Sequence, residues 1–303
     1  MNTTELTTTT TDSVHAAADT VVAASGHGGE ENQFAQLLHH VFDSNEIEIP
    51  FVGHVHLPHF HPVEIFGIPF DFSITKHVVF LLLSALIICV VLALAARSNR
   101  RNVIPRGFGN FIEVFVVFIR DEIILPNMGT AGLRYLPYLL TTFFFILVMN
   151  LFGLIPYGAS ATGNVNVTAG LAIVAFFVIQ ASAIRAQGVK HYVTHLTGGV
   201  HWSLWIIMVP IELLGLFTKP FALCIRLFAN MMGGHIVIVS LIGLIFIFKS
   251  FVIATLPASF VIGIGLLEMF VAFLQAYIFV MLTALFMGLG IQAAQEHGDG
   301  HGH

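Results

Sequence analysis

Within residues 203–247 and 255–291 few side chains can carry or move charge, and they fall at helical spacing: Glu212, Lys219, Arg226, Asn230, His235, Glu268 and Gln275. Their setting is otherwise almost wholly apolar, as in "KPFALCIRLFANMMGGH" (219–235). An arginine inside a membrane costs about 2.5–3.5 kcal/mol on insertion scales, so Arg226 must face protein, water or a carboxylate. At about 100° per residue, Glu212 falls within about 40° of Arg226 in projection but roughly 21 Å away along the axis. Asn230 follows Arg226 by one turn on nearly the same face. Glu268 and Gln275 share a face about 10 Å apart. A His–Glu pair in a partly dry site can take up and release protons near neutral pH, and ionisable groups at membrane depth mark ion or proton pathways.

These residues need long helices to hold them, and composition supplies the setting. Of 303 residues, 56% are hydrophobic and 10% charged, with a mean hydropathy of +0.88. That is the usage of an all-α, multi-span membrane protein, not of a soluble domain. Runs at 77–96, 135–156 and 168–184 are each long enough to cross a core of about 30 Å. Residues 203–247 and 255–291 would make ~67 Å and ~55 Å of helix. Both must therefore tilt steeply or bend, with Pro210 and Pro220 as bend points in the first. "FIEVFVVFIRDEIIL" (111–125) carries four charges and reads as an interfacial helix with a solvated face. The expected fold has about five membrane helices plus this interfacial one, the last two forming a long, strongly tilted hairpin.

Setting His235 opposite Glu268 in an antiparallel hairpin puts the turn near residue 251 or 252, beside the Lys and Pro of "FKSFVIATLP". The same register levels Arg226 with residue 277, two from Gln275. No acid of this chain then stands at the height of Arg226, so its counter-charge is expected on another protein's membrane helix.

Arg97, Arg100, Arg101, Arg106, Arg134, Arg185 and Lys190 cluster in the loops after the first span, before the second and after the third. The positive-inside rule makes those loops cytoplasmic, the amino end outside and the carboxyl end inside, with Lys76 and Lys249 as exceptions. Residues 1–64 read as a polar, partly disordered extracytoplasmic segment with a short amphipathic helix at 32–42, and 293–303 as a His/Gly-rich cytoplasmic tail. His54, His56, His59 and His61 cluster, but with no Cys or acid among them no physiological metal is expected. Cys89 and Cys224 read as small core residues. No GxxxxGK[ST] occurs, so the chain is read as a non-catalytic subunit without a nucleotide site, and nothing points to nucleic acid or a cofactor. A secondary transporter would show internal repeats, and none is visible.

Several motifs together resemble subunit a of the F-type ATP synthase membrane sector: the stretch 219–235, "PIELLG" (210–215), "LQAYIFVMLTALF" (274–286), "NLFGLIPY" (150–157), "GNVNVTAGLA" (163–172) and "FIRDEIILPNMG" (118–129). The resemblance covers roughly 65–292. It implies a proton-channel stator pressed against a rotating c-ring, with b-type peripheral-stalk subunits and the remaining synthase subunits as partners in a bacterial inner membrane. It implies that Arg226 meets the ring carboxylate, that Asn230, His235, Glu268 and Gln275 line an outer half-channel, and that Glu212 serves the inner one. His235 and Glu268 are reversed relative to many bacterial members of that family, which leaves one acid and one base across the same gap.

Overall fold

In lipid a backbone can satisfy its polar groups only internally, and in the computed structural model the long apolar runs accordingly form helices. The structure describes residues 46–49, 53–56, 63–65, 68–70, 75–101, 107–155, 160–189, 192, 205–248 and 251–298. Strands β1 (Glu46–Ile49) and β2 (Gly53–His56) pair as one antiparallel hairpin, and β3 (Val63–Ile65) and β4 (Ile68–Phe70) as another. Sequence reasoning had foreseen neither hairpin; the second straddles the expected boundary at residue 64. The helix expected at 32–42 lies outside the described residues, as do residues 299–303 of the tail.

The helices are α1 (Lys76–Arg101), α2 (Phe108–Phe118), α3 (Leu125–Met128), α4 (Leu136–Gly153), α5 (Val165–Gln187), α6 (Trp205–Phe248) and α7 (Phe251–Gly298). A π turn at Ile119–Ile124 and a 3-10 segment at Gly129–Tyr135 join α2, α3 and α4 into one continuous run. Among the described residues, five stretches are long and apolar enough to cross a membrane: Lys76–Ser98, Phe108–Gly153, Val165–Gln187, Leu214–Leu244 and Thr255–Gln292. The anticipated interfacial helix is thus the first part of a longer apolar run. Its solvated face is present all the same: Arg120 and Asp121 form an exposed ion pair at 2.7 Å while Ile119, Ile123 and Ile124 are fully buried. α6 ends at Phe248 and α7 begins at Phe251, so residues 251 and 252, where the hairpin turn was expected, already belong to α7, which continues past residue 293 to Gly298. Its 48 residues amount to ~72 Å.

The chain forms two compact units. In the larger, Ile119, Ile123, Leu139, Phe143, Ile146, Phe279 and Val280 make a fully buried core. Phe115 meets Phe143, Phe144 and Phe273 with ring centroids 5.7–6.2 Å apart. Small residues bring α7 close to its neighbours, as is usual where helices pack without a hydrophobic drive between them. At Gly288 a Cβ would fall on the Asn127 carbonyl oxygen, which is backbone and cannot yield. Gly288→Val is therefore expected to cost about 1–3 kcal/mol by overpacking, visible as a lower thermal midpoint in detergent.

A buried polar chain joins three elements of this unit. Thr162 donates to the Asn150 side-chain oxygen at 2.6 Å, Ser160 and Thr162 share a hydrogen bond at 2.7 Å, and Asn150 donates to the Ala272 carbonyl at 3.3 Å. Asn164 caps α5 by accepting from the Asn166 backbone N–H at 2.9 Å. The polar letters of "NLFGLIPY" and "GNVNVT" thus have structural work. Asn150→Leu would leave the Thr162 hydroxyl without its acceptor, an expected loss of about 1–3 kcal/mol measurable by the same melt. Cys224 is buried near Thr168, its sulfur 3.4 Å from the hydroxyl, as a small core residue should be. Cys89 corrects the sequence reading: it is exposed on α1, because that helix presents most of its circumference outward.

Candidate functional site

In the larger unit, α6 carries Arg226 and Asn230 and α7 carries Gln275. Arg226 is exposed, as are Ala222 and Ala229, which fall within about 60° of it around the helix. The opposite face of this stretch, with Leu223, Cys224 and Leu227, is buried. The spacing of buried positions turns the guanidinium away from the core of its own chain. Among the described residues it has no hydrogen bond and no ion pair, so the neutralising charge is not supplied there.

Asn230 donates from its amide to the Gln275 side-chain oxygen at 2.9 Å, and Gln275 is 4% exposed. The sequence register placed position 273 opposite Asn230, two residues short of what is seen. Lys219 lies over the Phe286 ring at 4.9 Å, again two residues from the expected level. That cation–π contact holds its ammonium against a ring, which separates it in role from Arg226.

The smaller unit holds His235 and Glu268. Glu268 is 7% exposed, and neither carboxylate oxygen has a hydrogen-bond partner. The hydrogen-bonded pair with His235 anticipated from the register is therefore not formed. What Glu268 meets is Gly234: a Cβ built there would stand 2.6 Å from its Oε1 and 2.9 Å from its Cδ. The missing side chain of Gly234 is the room the carboxylate occupies. No motif spacing could have shown this, though the Gly-Gly pair before His235 was a visible signal. His235 is half-buried. Glu212 belongs to α6, but its side chain lies outside the described residues.

A buried carboxylate without a partner is costly unless it binds a proton or reaches water, and an exposed guanidinium among apolar side chains is costly unless another molecule neutralises it. Fold and site together define a polytopic α-helical membrane protein.

Comparison with known proteins gives the family. A family model described as the ATP synthase A chain matches residues 78–288. The chain is 50% identical over 304 residues to ATP synthase subunit a 2 of Chlorobaculum tepidum, covering 96% of this chain and 85% of that one. It is 52% identical over 270 residues to ATP synthase subunit a of Chloroherpeton thalassium, covering 88% and 79%. It is 48% identical over 303 residues to ATP synthase subunit a of Anaeromyxobacter dehalogenans, covering 95% and 78%. The chain belongs to the ATP synthase A chain family.

Proposed function

We propose that this chain is the proton-conducting stator of a rotary ATP synthase, with two offset half-channels that load and unload carboxylates on a neighbouring c-ring. The observation that carries the reading is Arg226, a permanent charge on an exposed apolar face with no partner among the described residues. Such a group is satisfied by acids that arrive on another chain. Arginine suits the place because it does not lose its proton when desolvated, whereas lysine can.

In this reading a proton enters from outside by His235, Glu268, Asn230 and Gln275 and neutralises a ring carboxylate. The neutral acid can then travel through lipid, since only its charged form is expensive there. After nearly a full turn it meets Arg226, whose charge favours the ionised acid, and the proton leaves inward on the Glu212 side. The same fixed charge blocks a direct path between the two passages. A short circuit would waste about 2.3 kcal/mol per proton per 100 mV.

The basic residues support an amino end outside and a carboxyl end in the cytoplasm, in a bacterial inner membrane. Of these, Arg97, Arg134 and Arg185 lie exposed at or near helix ends. The remaining partners in this reading are b-type peripheral-stalk subunits, the other synthase subunits and lipid, with residues 1–64 and 293–303 as segments outside the membrane.

Cross-linking in the assembled complex tests the reading. A cysteine at Ala222 or Ala229, both exposed on the Arg226 face, should form a disulfide with a cysteine placed beside the ring carboxylate. No cross-link from either position, with cross-linking from the opposite face instead, would remove the reading.

A further inference from the structure

Lys219 carries a charge within the apolar span Leu214–Leu244, and the proton path described so far does not use it. A charge there is costly, and leucine or methionine would pack as well without that cost, so the ammonium itself wants a reason. It stands 4.9 Å from the centroid of the Phe286 ring on α7. Asn230 and Gln275 make a second contact between the same two helices, at 2.9 Å. On α6 the two anchored residues are eleven apart, and their partners on α7 are eleven apart as well. Eleven residues are about three whole turns, so both contacts lie on one line along the helix pair. Arg226 lies between them. In that register it falls level with Phe279, a buried core side chain with no acceptor for a guanidinium.

At about 100° per residue, Lys219 and Asn230 lie about 20° and 40° round the helix from Arg226, on the side of buried Leu223 and Leu227. Exposed Ala222 and Ala229 lie on its other side. Arg226 thus stands at the edge between the face packed on its own chain and the open one. A turn of a few tens of degrees decides which face it serves. The backbone alone does not hold that angle. Pro220 sits inside α6 next to Lys219. Having no N–H, it leaves the Leu216 carbonyl without its helical partner, and a helix bends readily at such a turn. The Lys219 contact pins this weakened turn on one side of Arg226, and the Asn230 contact pins the helix on the other.

We propose that Lys219 is a positioning residue for Arg226: its ammonium, stacked on Phe286, ties the proline-weakened turn of α6 to α7 and so keeps the guanidinium aimed out of its own chain. The role rests on the reading that Arg226 meets acids of a neighbouring ring. Each passing acid pulls on Arg226 and on the helix that carries it, so a stator needs such a tie. A cation suits the place because the ring face attracts it with a directional pull that an alkyl group lacks. Lys219 takes and gives no proton in this role.

The test uses purified ATP synthase in proteoliposomes. Coupling is read as protons pumped per ATP hydrolysed. The aim of α6 is read as disulfide formation between a cysteine beside the ring carboxylate and Ala222→Cys, Ala229→Cys or Ile225→Cys, the last about 100° round from Arg226. In Lys219→Met, coupling should fall and cross-linking should spread from positions 222 and 229 to 225. The misaligned population should rise roughly threefold to thirtyfold, the worth of such a contact. Lys219→Arg should restore most of both readouts, since a guanidinium also stacks on rings. Phe286→Leu should match Lys219→Met, and the double variant should be no worse than either single one. Parent coupling and parent cross-linking in Lys219→Met would overturn the role, as would equal losses in Lys219→Arg or additive losses in the double variant. Lost coupling with an unmoved cross-linking pattern would mean that Lys219 does not act through Arg226, and it also overturns the role. Failure of positions 222 and 229 to cross-link while Lys219 is intact would remove the stator reading itself, a result separate from any Lys219 variant. Should Lys219→Met not assemble, Phe286→Leu decides by the same two readouts.

Discussion

Synthase carrying Arg226→Ala is expected to make no ATP at the coupled rate. An opposite charge within a few ångströms lowers a carboxyl pKa by about 1–3 units, so removing it should slow discharge of the ring acids by about 10- to 1000-fold. The loss is not one of folding. Arg226 is exposed and makes no hydrogen bond among the described residues, so the chain should assemble with its partners in normal yield. Passive proton leak should rise at the same time, because the charge that separates the two passages is gone. Arg226→Lys should fall between parent and alanine, since a desolvated lysine can release its proton. The measurements are ATP synthesis driven by an acid–base jump and proton leak in the same vesicles. Coupled synthesis at the parent rate in the alanine variant would contradict the assignment.

Gly234→Val should produce the other large effect, and by a different route. The added Cβ would stand 2.6 Å from Glu268 Oε1, closer than non-bonded atoms allow. The obstructed atom is the end of a flexible side chain, so the acid can swing aside and the helices need not part. Stability should change little while the proton path loses its geometry. A displacement of about 1 Å at a reacting group can cost about a hundredfold in rate, and a loss of that order is the expected result. Glu268→Asp in the same chain shortens the acid and should restore part of the flux. This combination separates the two causes: a simple folding defect would lower the thermal midpoint and would not respond to Glu268→Asp. Parent-level flux in Gly234→Val would show that the carboxylate does not work from its observed position.

These two variants also divide what could be read from the chain alone from what could not. Periodicity along single helices was legible. Apolar runs announced five spans. The isolation of Arg226 was equally plain, because a guanidinium in an apolar stretch has few places to go and no acid of the chain matched its level. What stood opposite a given residue was less secure. Asn230 meets Gln275 two residues from the predicted level, and a two-residue slip turns an α-helix by about 200°, enough to exchange one face for the other.

The amino acid sequence by itself determined the class of the protein, the helices and the lone outward charge, since these depend on hydropathy and spacing, which are local. Tertiary structure decided that Glu268 rests against Gly234 without a hydrogen bond, that Asn150 and Thr162 satisfy one another, and that Lys76 and His77 are buried. Burial and pairing are properties of side chains brought together from distant parts of the chain. Their cost or benefit arises only when packing has removed water from both, and no window along a single helix records that.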